Sequence, residues 1–196
     1  IIFYTPRLTI RRLVKHQGRH KMLPKLPDRN PLEPARIPLP REAVKEMVIP
    51  NVLDDDERIW VEHRDQVWTR PLCLNVSNGY WTELLRVRKS GVLHRHRHPN
   101  PVHGLVLKGR WHYLEHDWVA EEGSYVFEPP GETHTLIVPE GVDEMITFFH
   151  VTGCLYYIDP DGNPLGYDDV FTLIDDCRAY YTKVGLGADF IDQFIR

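Results

Sequence analysis

The chain has 196 residues, with 24 Lys or Arg against 28 Asp or Glu, and a net charge of −4 at pH 7. This length suits one folded domain with extensions, and no apolar run approaches the ~20 residues that a membrane span requires. The three cysteines are scattered without a C-x-x-C pair, which argues against a disulfide framework and against a thiolate zinc site. We therefore expect a cytoplasmic protein that does not enter the membrane.

The first 29 residues are strongly basic. They contain eight Lys or Arg against a single acid, Asp28. Basic segments can bind nucleic acid, but this one lacks aromatic stacking residues and a recognition helix, so we expect no nucleic-acid partner. The Arg-rich composition is also compatible with a transit peptide, or residues 1–21 are foreign to the fold and Met22 is an internal start. These alternatives stay open.

A proline-rich stretch follows the basic segment. Residues 23–40 contain six prolines, which remove backbone donors and break helices, so an extended arm is expected. A short helix is predicted at 41–49, before Pro50. We assign residues 1–50 to a basic and proline-rich arm and residues 51–196 to one folded domain.

From about residue 67 onward the pattern becomes one of short strands, rich in β-branched and aromatic residues and separated by Gly, Pro or Asp. Such spacing indicates an all-β sandwich or barrel, and Lys108-Gly109-Arg110 predicts a turn within the longest run. Apolar residues at helical spacing after Asp168-Asp169 predict a C-terminal amphipathic helix that ends before Gly185. The predicted strands are 81–88, 103–116, 124–128, 134–138, 144–151 and 154–158.

Histidines are concentrated in one extended segment. His96 and His98 are two residues apart, which places both imidazoles on one face of a strand, close enough to share a metal ion. His94 lies on the same face if the strand begins that early. Because Arg95 and Arg97 alternate with the histidines, this motif alone fits an exposed basic strand equally well.

A second motif raises the odds of a metal site. The spacing Gly123-x5-Pro129-x-Gly131-x2-His134 brings another histidine after a Gly- and Pro-rich turn, at the head of a predicted strand. Together with Gly91-x4-His96-x-His98-x4-His103-x5-Gly109, it resembles the two conserved motifs of the cupin superfamily, over about residues 75–155. The resemblance implies a cupin fold, that is, a double-stranded β-helix or jelly-roll barrel, in which His96, His98 and His134 hold one metal ion.

The sequence departs from the cupin pattern at one ligand. Most cupins have a glutamate shortly after the histidine pair, where this chain has Val102 and His103. The departure implies a three-histidine site, with His103 as a weaker fourth ligand or as a hydrogen-bonding partner. Three neutral imidazoles leave the 2+ charge uncompensated, which favours an anionic, chelating substrate. Imidazoles suit iron, zinc, copper and nickel, so the ligands do not name the metal.

Longer segments are similar to those of the 2,4'-dihydroxyacetophenone dioxygenases, from about residue 67 to the C-terminus. This resemblance implies an Fe(II) enzyme that cleaves the bond between the ketone and hydroxymethyl carbons of a small aromatic hydroxyketone with O2, giving 4-hydroxybenzoate and formate. We also expect a homo-oligomer, a dimer or tetramer. The segments are Arg70-Pro-Leu-Cys-Leu-Asn75, Asn78-Gly-Tyr-Trp81, His96-Arg-His-Pro-Asn-Pro-Val-His103, Gly109-Arg-Trp-His-Tyr-Leu-Glu115 and Gly185-Leu-Gly-Ala-Asp189.

The candidate catalytic residues are His103 and Glu115, either of which could take the substrate proton, although Glu115 also fits an ordinary exposed strand carboxylate. An apolar wall would hold the aromatic ring and exclude water. Most aromatic residues of a barrel belong to its core, so each candidate for this wall also has a structural interpretation. The candidate substrate-binding residues are Tyr80, Trp81, Trp111, Tyr113 and Phe127.

Two other functions remain open from the sequence. One is a dioxygenase that cleaves a related dicarbonyl or hydroxyketone. The other is a non-catalytic, zinc-binding cupin sensor, since similar domains occur in regulators. Such a sensor usually needs a further partner-binding helical region, and this chain offers only the proline-rich arm and the C-terminal helix.

Overall fold

A computed structural model describes residues 37–54 and 56–196. Within these residues, two antiparallel six-stranded sheets form the two layers of the fold. In spatial order, the first sheet contains β1 (Val61–Arg64), β2 (Val67–Asn75), β3 (Tyr80–Val87), β10 (Met145–Thr152), β5 (Val102–Lys108) and β8 (Tyr125–Glu128). The second contains β12 (Pro164–Asp169), β11 (Cys154–Ile158), β4 (Gly91–Arg97), β9 (Thr133–Val138), β6 (Arg110–Tyr113) and β7 (Ala120–Glu121).

The core lies between the two sheets, and strand alternation determines which side chains enter it. In β5, Val102 and Val106 are buried while Leu105 is exposed, because successive residues of a strand point to opposite faces. The second sheet contributes Trp111 and Leu136 to the same buried cluster. The all-β prediction is confirmed.

The turn predicted at Lys108-Gly109-Arg110 carries the chain from the first sheet to the second. Gly109 has φ of 72°, and a Cβ atom at this position would collide with the carbonyl oxygen of Glu144. Only glycine fits this turn without strain. The predicted strand 103–116 is therefore divided into β5 and β6.

The predicted C-terminal helix is confirmed as α1 (Val170–Lys183). Asp169 caps it, because its side chain accepts hydrogen bonds from the backbone N–H groups of Phe171 and Thr172, and the Thr172 hydroxyl caps Asp169 in return. The buried face consists of the positions that the helical spacing predicted. These are Val170, Leu173, Ile174, Cys177 and Tyr181.

The prediction of a short helix at 41–49 is wrong. Residues 41–42 form a turn and the remainder has no regular structure. The side chains of Val44 and Val48 are 70% and 84% exposed, and so short a helix is unstable in water without a buried face. The basic segment 1–29 and most of the predicted arm lie outside the described residues.

A loop over residues 159–163 joins β11 to β12, which begins at Pro164. No helix among the described residues is long and apolar enough to cross a membrane.

Candidate metal centre and adjoining cavity

The three histidines predicted as metal ligands meet between the two sheets. His96 on β4 is paired directly opposite His134 on β9, and His98 follows at the end of β4. Their ring centroids are 5.9 Å apart for His96 and His98, 5.8 Å for His96 and His134, and 5.2 Å for His98 and His134. All three side chains are at most 4% exposed.

A buried carboxylate, Glu128, joins this cluster from β8 of the opposite sheet. Its Oε2 atom lies 3.1 Å from His98 Nε2, and its Oε1 atom accepts a 2.7 Å hydrogen bond from the Tyr113 hydroxyl. His96, His98 and Glu128 offer ligand atoms that all lie within 4.8 Å of one another. The sequence analysis missed Glu128, although its place directly before Pro129 in the second histidine motif was visible.

Glu128 supplies the charge that the sequence pattern lacks. In the strand ladder it is paired with Val102, next to the position where most cupins have their glutamate. Paired residues of neighbouring strands point to the same face. A carboxylate from the adjacent strand therefore reaches the metal centre, and the expected purely three-histidine site is corrected.

One ring nitrogen of His98 faces the cluster. His98 Nδ1 lies 2.6 Å from the carbonyl oxygen of Asn100, which can only accept, so Nδ1 donates there and Nε2 is the atom directed at Glu128. Although Nε2 is 3.1 Å from Glu128 Oε2, it has no hydrogen-bond partner in the part of the chain that the structure describes. A buried carboxylate facing this nitrogen needs a compensating positive charge, which either a proton or a metal cation between the two atoms would supply.

A metal ion fits this arrangement. Two atoms that each bind one ion at about 2.0–2.2 Å and at roughly a right angle are about 3 Å apart. Among the described residues, neither ring nitrogen of His134 has a hydrogen-bond partner, and both are buried. His134 also belongs to an adjacent group with His116 and Glu132, but Glu132 is exposed, so the buried group around His98 is the better centre.

His94 holds the ring of His96 from the side away from His98. The Nδ1 atoms of His94 and His96 are 2.9 Å apart, so one of them donates to the other. Burial lowers the pKa of His94 to about 4 and the pKa of His96 well below its ordinary value, so both rings are neutral at pH 7. If His96 donates, its Nε2 atom is free to bind a metal, the arrangement typical of metal-ligating histidines.

A cavity of about 500 Å³ adjoins the cluster between the sheets. Its lining includes His96, Glu128 and Tyr113 at the metal centre. Apolar side chains of both sheets form the walls of its middle part, namely Leu85, Leu93, Val102, Leu136, Phe149 and Val151.

A family model described as the ChrR cupin-like domain matches residues 50–155, more than half of the chain. The chain belongs to this family. The cupin fold with its C-terminal helix, predicted from the histidine motifs and the helical spacing, is thereby confirmed.

Solved structures share the cupin fold of this chain. An RmlC-like cupin protein from Ralstonia eutropha is 28% identical, with a TM-score of 0.61 over 65% of this chain and 83% of that chain. An acetylacetone dioxygenase from Acinetobacter johnsonii is 16% identical, with a TM-score of 0.60 over 74% of this chain and 99% of that chain. No curated protein sequence matches the chain.

In this cupin, His103 points away from the metal centre. It lies between the buried residues Val102 and Gly104 of β5 and therefore faces the outer side of the sheet, where its Nδ1 atom is 2.7 Å from the Tyr125 hydroxyl. The expectation that His103 is a ligand or a hydrogen-bonding partner of the site is corrected for this reason.

Glu115 is occupied elsewhere as well. It accepts hydrogen bonds from the Thr135 backbone N–H at 2.8 Å and from the Thr135 hydroxyl at 2.7 Å, and it does not line the cavity. Burial alone would raise the pKa of Glu115, but these hydrogen bonds outweigh burial and lower it. Glu115 therefore holds the start of β9 in place, and its placement does not fit the expected proton transfer.

The aromatic candidates divide between the two faces of the sheets. Trp81 and Tyr113 line the cavity. Trp111 is fully buried in contact with Tyr113, with ring centroids 5.0 Å apart, and is core. Tyr80 alternates with the inward-facing Trp81 and points outward, and Phe127 is 53% exposed on the outer face, so neither meets the cavity.

Proposed function

We propose that this cupin is a non-haem iron(II) dioxygenase that cleaves the C–C bond of 2,4'-dihydroxyacetophenone with O2, giving 4-hydroxybenzoate and formate. The observation that carries the proposal is the buried cluster of His96, His98 and Glu128, with His98 Nε2 3.1 Å from the Glu128 carboxylate, beside a cavity with apolar walls. Imidazole and carboxylate ligands with open coordination positions suit iron(II) oxygenases. The cavity also distinguishes the site from a closed structural metal site.

The side chains that would hold the iron are His96, His98, His134 and Glu128. A bound iron(II) would act as a Lewis acid toward the hydroxyketone and as the electron donor to O2. Glu128 contributes one negative charge and a deprotonated hydroxyketone contributes the second, so that the two together balance the 2+ ion. An anionic chelating substrate is favoured for this reason, although the charge left to neutralise is half of that expected for three histidines alone.

Tyr113 and His94 position the ligands. The Tyr113 hydroxyl donates to Glu128 Oε1, which fixes the carboxylate and leaves Oε2 on the side of His98. Burial, together with the neighbouring Glu128 charge, raises the pKa of Tyr113 well above its ordinary value, so the hydroxyl keeps its proton. His94 orients the ring of His96 in the same way, through the 2.9 Å contact between their Nδ1 atoms.

Anaerobically iron-loaded protein given 2,4'-dihydroxyacetophenone and then O2 tests the proposal. We expect equal amounts of O2 consumed, formate and 4-hydroxybenzoate, with one atom of labelled O2 in each product. His98→Ala serves as the control because it removes the central nitrogen ligand. Absence of both O2 uptake and formate from the wild-type protein contradicts the proposed substrate.

Two alternatives give different results in the same assay. Turnover of acetylacetone or another dicarbonyl, without turnover of the aromatic hydroxyketone, identifies a related dioxygenase. Stable zinc binding at the cluster, without turnover of any of these ketones by the iron form, identifies a zinc-binding sensor instead.

We further propose that residues 1–50 are an arm, that residues 51–196 are the catalytic domain, and that the protein is a cytoplasmic homo-oligomer. The three cysteines are free, which supports a reducing compartment. The outer face of the first sheet exposes Leu105, Tyr125 and Phe127, an apolar patch of the kind found in subunit contacts. Light scattering would measure the mass, and we expect a dimer or tetramer.

A further inference from the structure

The cavity has a second polar end that the metal centre does not use. At this end, Trp81 and Glu83 project from β3, two residues apart and hence on the same face. Tyr157 and Asp168 line the cavity from the second sheet, where Tyr157 is the cross-strand neighbour of His96, and a 2.5 Å hydrogen bond from the Tyr157 hydroxyl joins them.

The indole N–H group of Trp81 is a buried donor without a partner among the described residues, and Glu83 is the carboxylate beside it. Trp81 is 1% exposed, and its Nε1–H group has no hydrogen-bond partner within the described residues. The Glu83 carboxylate lies near this N–H group, although not in hydrogen-bond geometry. Burial raises the pKa of Glu83 to about 7, the direction expected for a carboxyl group on the wall of a largely apolar cavity. A buried N–H group left unpaired costs free energy, so a ligand that pairs with it gains affinity.

The strand ladder gives the spacing between the two polar ends. Glu128, Val102, Val151 and Trp81 form one row across four neighbouring strands of the first sheet. At about 4.8 Å per strand, the backbones of Glu128 and Trp81 are about 14 Å apart, and side chains converging inside the barrel shorten this gap. The remaining space is of the order of one aromatic ring with polar groups at both ends.

The middle of the cavity suits such a ring. Val102, Phe149 and Val151 wall it on one side, and Leu93, Leu136 and Leu155 on the other. An aliphatic diketone bound at the histidines would leave the distant pair unpaired. A 4-hydroxyphenyl ketone bound there would bring its hydroxyl group to the pair.

We propose that Trp81 and Glu83 form a recognition site for the phenolic hydroxyl, in which the hydroxyl accepts from Trp81 Nε1–H and donates to the Glu83 carboxylate. The pair thereby selects a 4-hydroxyphenyl ketone over an unsubstituted phenyl ketone or an aliphatic one. The inference rests on the proposed function in one respect, because the proposed substrate places the ketone at the histidines.

Matched ligands that differ only in the phenolic hydroxyl test this site. In turnover, 2,4'-dihydroxyacetophenone is compared with 2-hydroxyacetophenone. We expect the wild-type protein to prefer the first by about 10- to 100-fold in kcat/KM, the range of a hydrogen bond to a charged buried group. In Glu83→Met this preference should fall toward unity while activity on 2-hydroxyacetophenone remains. A preference that is unchanged in Glu83→Met overturns the inference.

Calorimetry separates this inference from the proposed reaction. 4-Hydroxyacetophenone and acetophenone are titrated into zinc-loaded protein, since neither has the 2-hydroxyl group on the carbon that the proposed reaction releases as formate. If the wild-type protein binds 4-hydroxyacetophenone more tightly than acetophenone and Glu83→Met does not, the recognition site is supported. Absence of turnover of both hydroxyketones by the iron form would then refute the proposed reaction but not the recognition site. Equal affinity of the wild-type protein for both ligands overturns the inference.

Two further variants serve as controls. Glu121→Met makes the same change at an exposed strand position that does not line the cavity, and it should keep the wild-type preference. Glu83→Gln retains an acceptor oxygen at nearly unchanged volume but loses the charge, so its preference should lie between those of the wild type and Glu83→Met. If circular dichroism shows that Glu83→Met is unfolded, Glu83→Gln provides the test, and a preference equal to that of the wild type overturns the inference.

Discussion

Glu128 reaches the candidate metal centre from the sheet opposite the histidines, and a single substitution measures its contribution to metal affinity. Glu128→Gln keeps the shape and the acceptor for Tyr113 but removes the negative charge beside His98 Nε2. We expect metal affinity to fall by at least roughly 10- to 100-fold, the range seen when groups supporting a metal site are lost. Competition with a chromophoric chelator measures it.

Glu132→Gln is the matched control for this change. Glu132 is 46% exposed and lies 4.0 Å from His134 Nε2, at the margin of the cluster. Its replacement should leave metal affinity nearly unchanged. A larger loss in Glu132→Gln than in Glu128→Gln would place the ion in the outer group with His116 instead.

Glu83 should make the metal-free protein less stable as the pH rises. Burial, with the neighbouring Asp168 charge, raises its pKa from 4.5 to about 7, against the opposing effect of Trp81. Between these values the folded protein holds the proton more tightly than the unfolded chain does, so its stability falls with increasing pH. The shift corresponds to about 3 kcal/mol.

Glu83→Gln removes this titration and tests its sign. Urea denaturation gives the free energy of unfolding of the two metal-free proteins. The value for the variant, relative to that of the wild type, should increase by up to about 3 kcal/mol between pH 4.5 and pH 8. Other titrating groups cancel in this comparison because both proteins contain them. A difference that does not change with pH would show that Glu83 is solvated in the folded state.

At the scale of elements, local sequence patterns correctly predicted the helices and turns that nearby residues determine. The helix α1 follows from its cap at Asp169 and its apolar spacing, and the division of 103–116 follows from Gly109, which the turn requires. The prediction of a helix at 41–49 failed because Met47 and Ile49, only two residues apart, pack against the core while Val44 and Val48 stay exposed, and a local pattern does not reveal that packing.

The cap of α1 gives a direct test at this scale. Asp169→Ala removes the acceptor of the N–H groups of Phe171 and Thr172, and should lower the free energy of unfolding by about 1 kcal/mol. Asp175→Ala, at an exposed position inside the same helix, should be neutral or slightly stabilising, because alanine favours helix formation. Urea denaturation measures both, and equal losses would contradict a capping role for Asp169.

For the whole molecule, the candidate site shows what sequence reasoning reaches and where it stops. His96, His98 and His134 could be brought together because two spaced motifs encode them. Glu128 lies within the second motif, but only the pairing of β5 with β8, a long-range feature, shows that it faces the histidines. The outward direction of His103 follows from the same register, because a shift of one residue exchanges the two faces of a strand.

The candidate metal centre contains side chains from both layers of the barrel. His96 and His134 belong to strands of the second sheet, whereas Glu128 belongs to the first. An ion bound by both sheets exists only in the folded protein and therefore stabilises it against unfolding.

Metal addition should raise the free energy of unfolding by about 2.7 kcal/mol when free metal is present at 100 times its Kd. Zinc is the suitable probe because it does not oxidise, and urea denaturation with and without zinc measures the increase. In Glu128→Gln the increase at the same zinc concentration should be smaller, since the ion has lost its ligand from the first sheet. In His98→Ala it should nearly vanish, because that change removes the central nitrogen. An equal increase in all three proteins would mean that zinc binds outside this cluster.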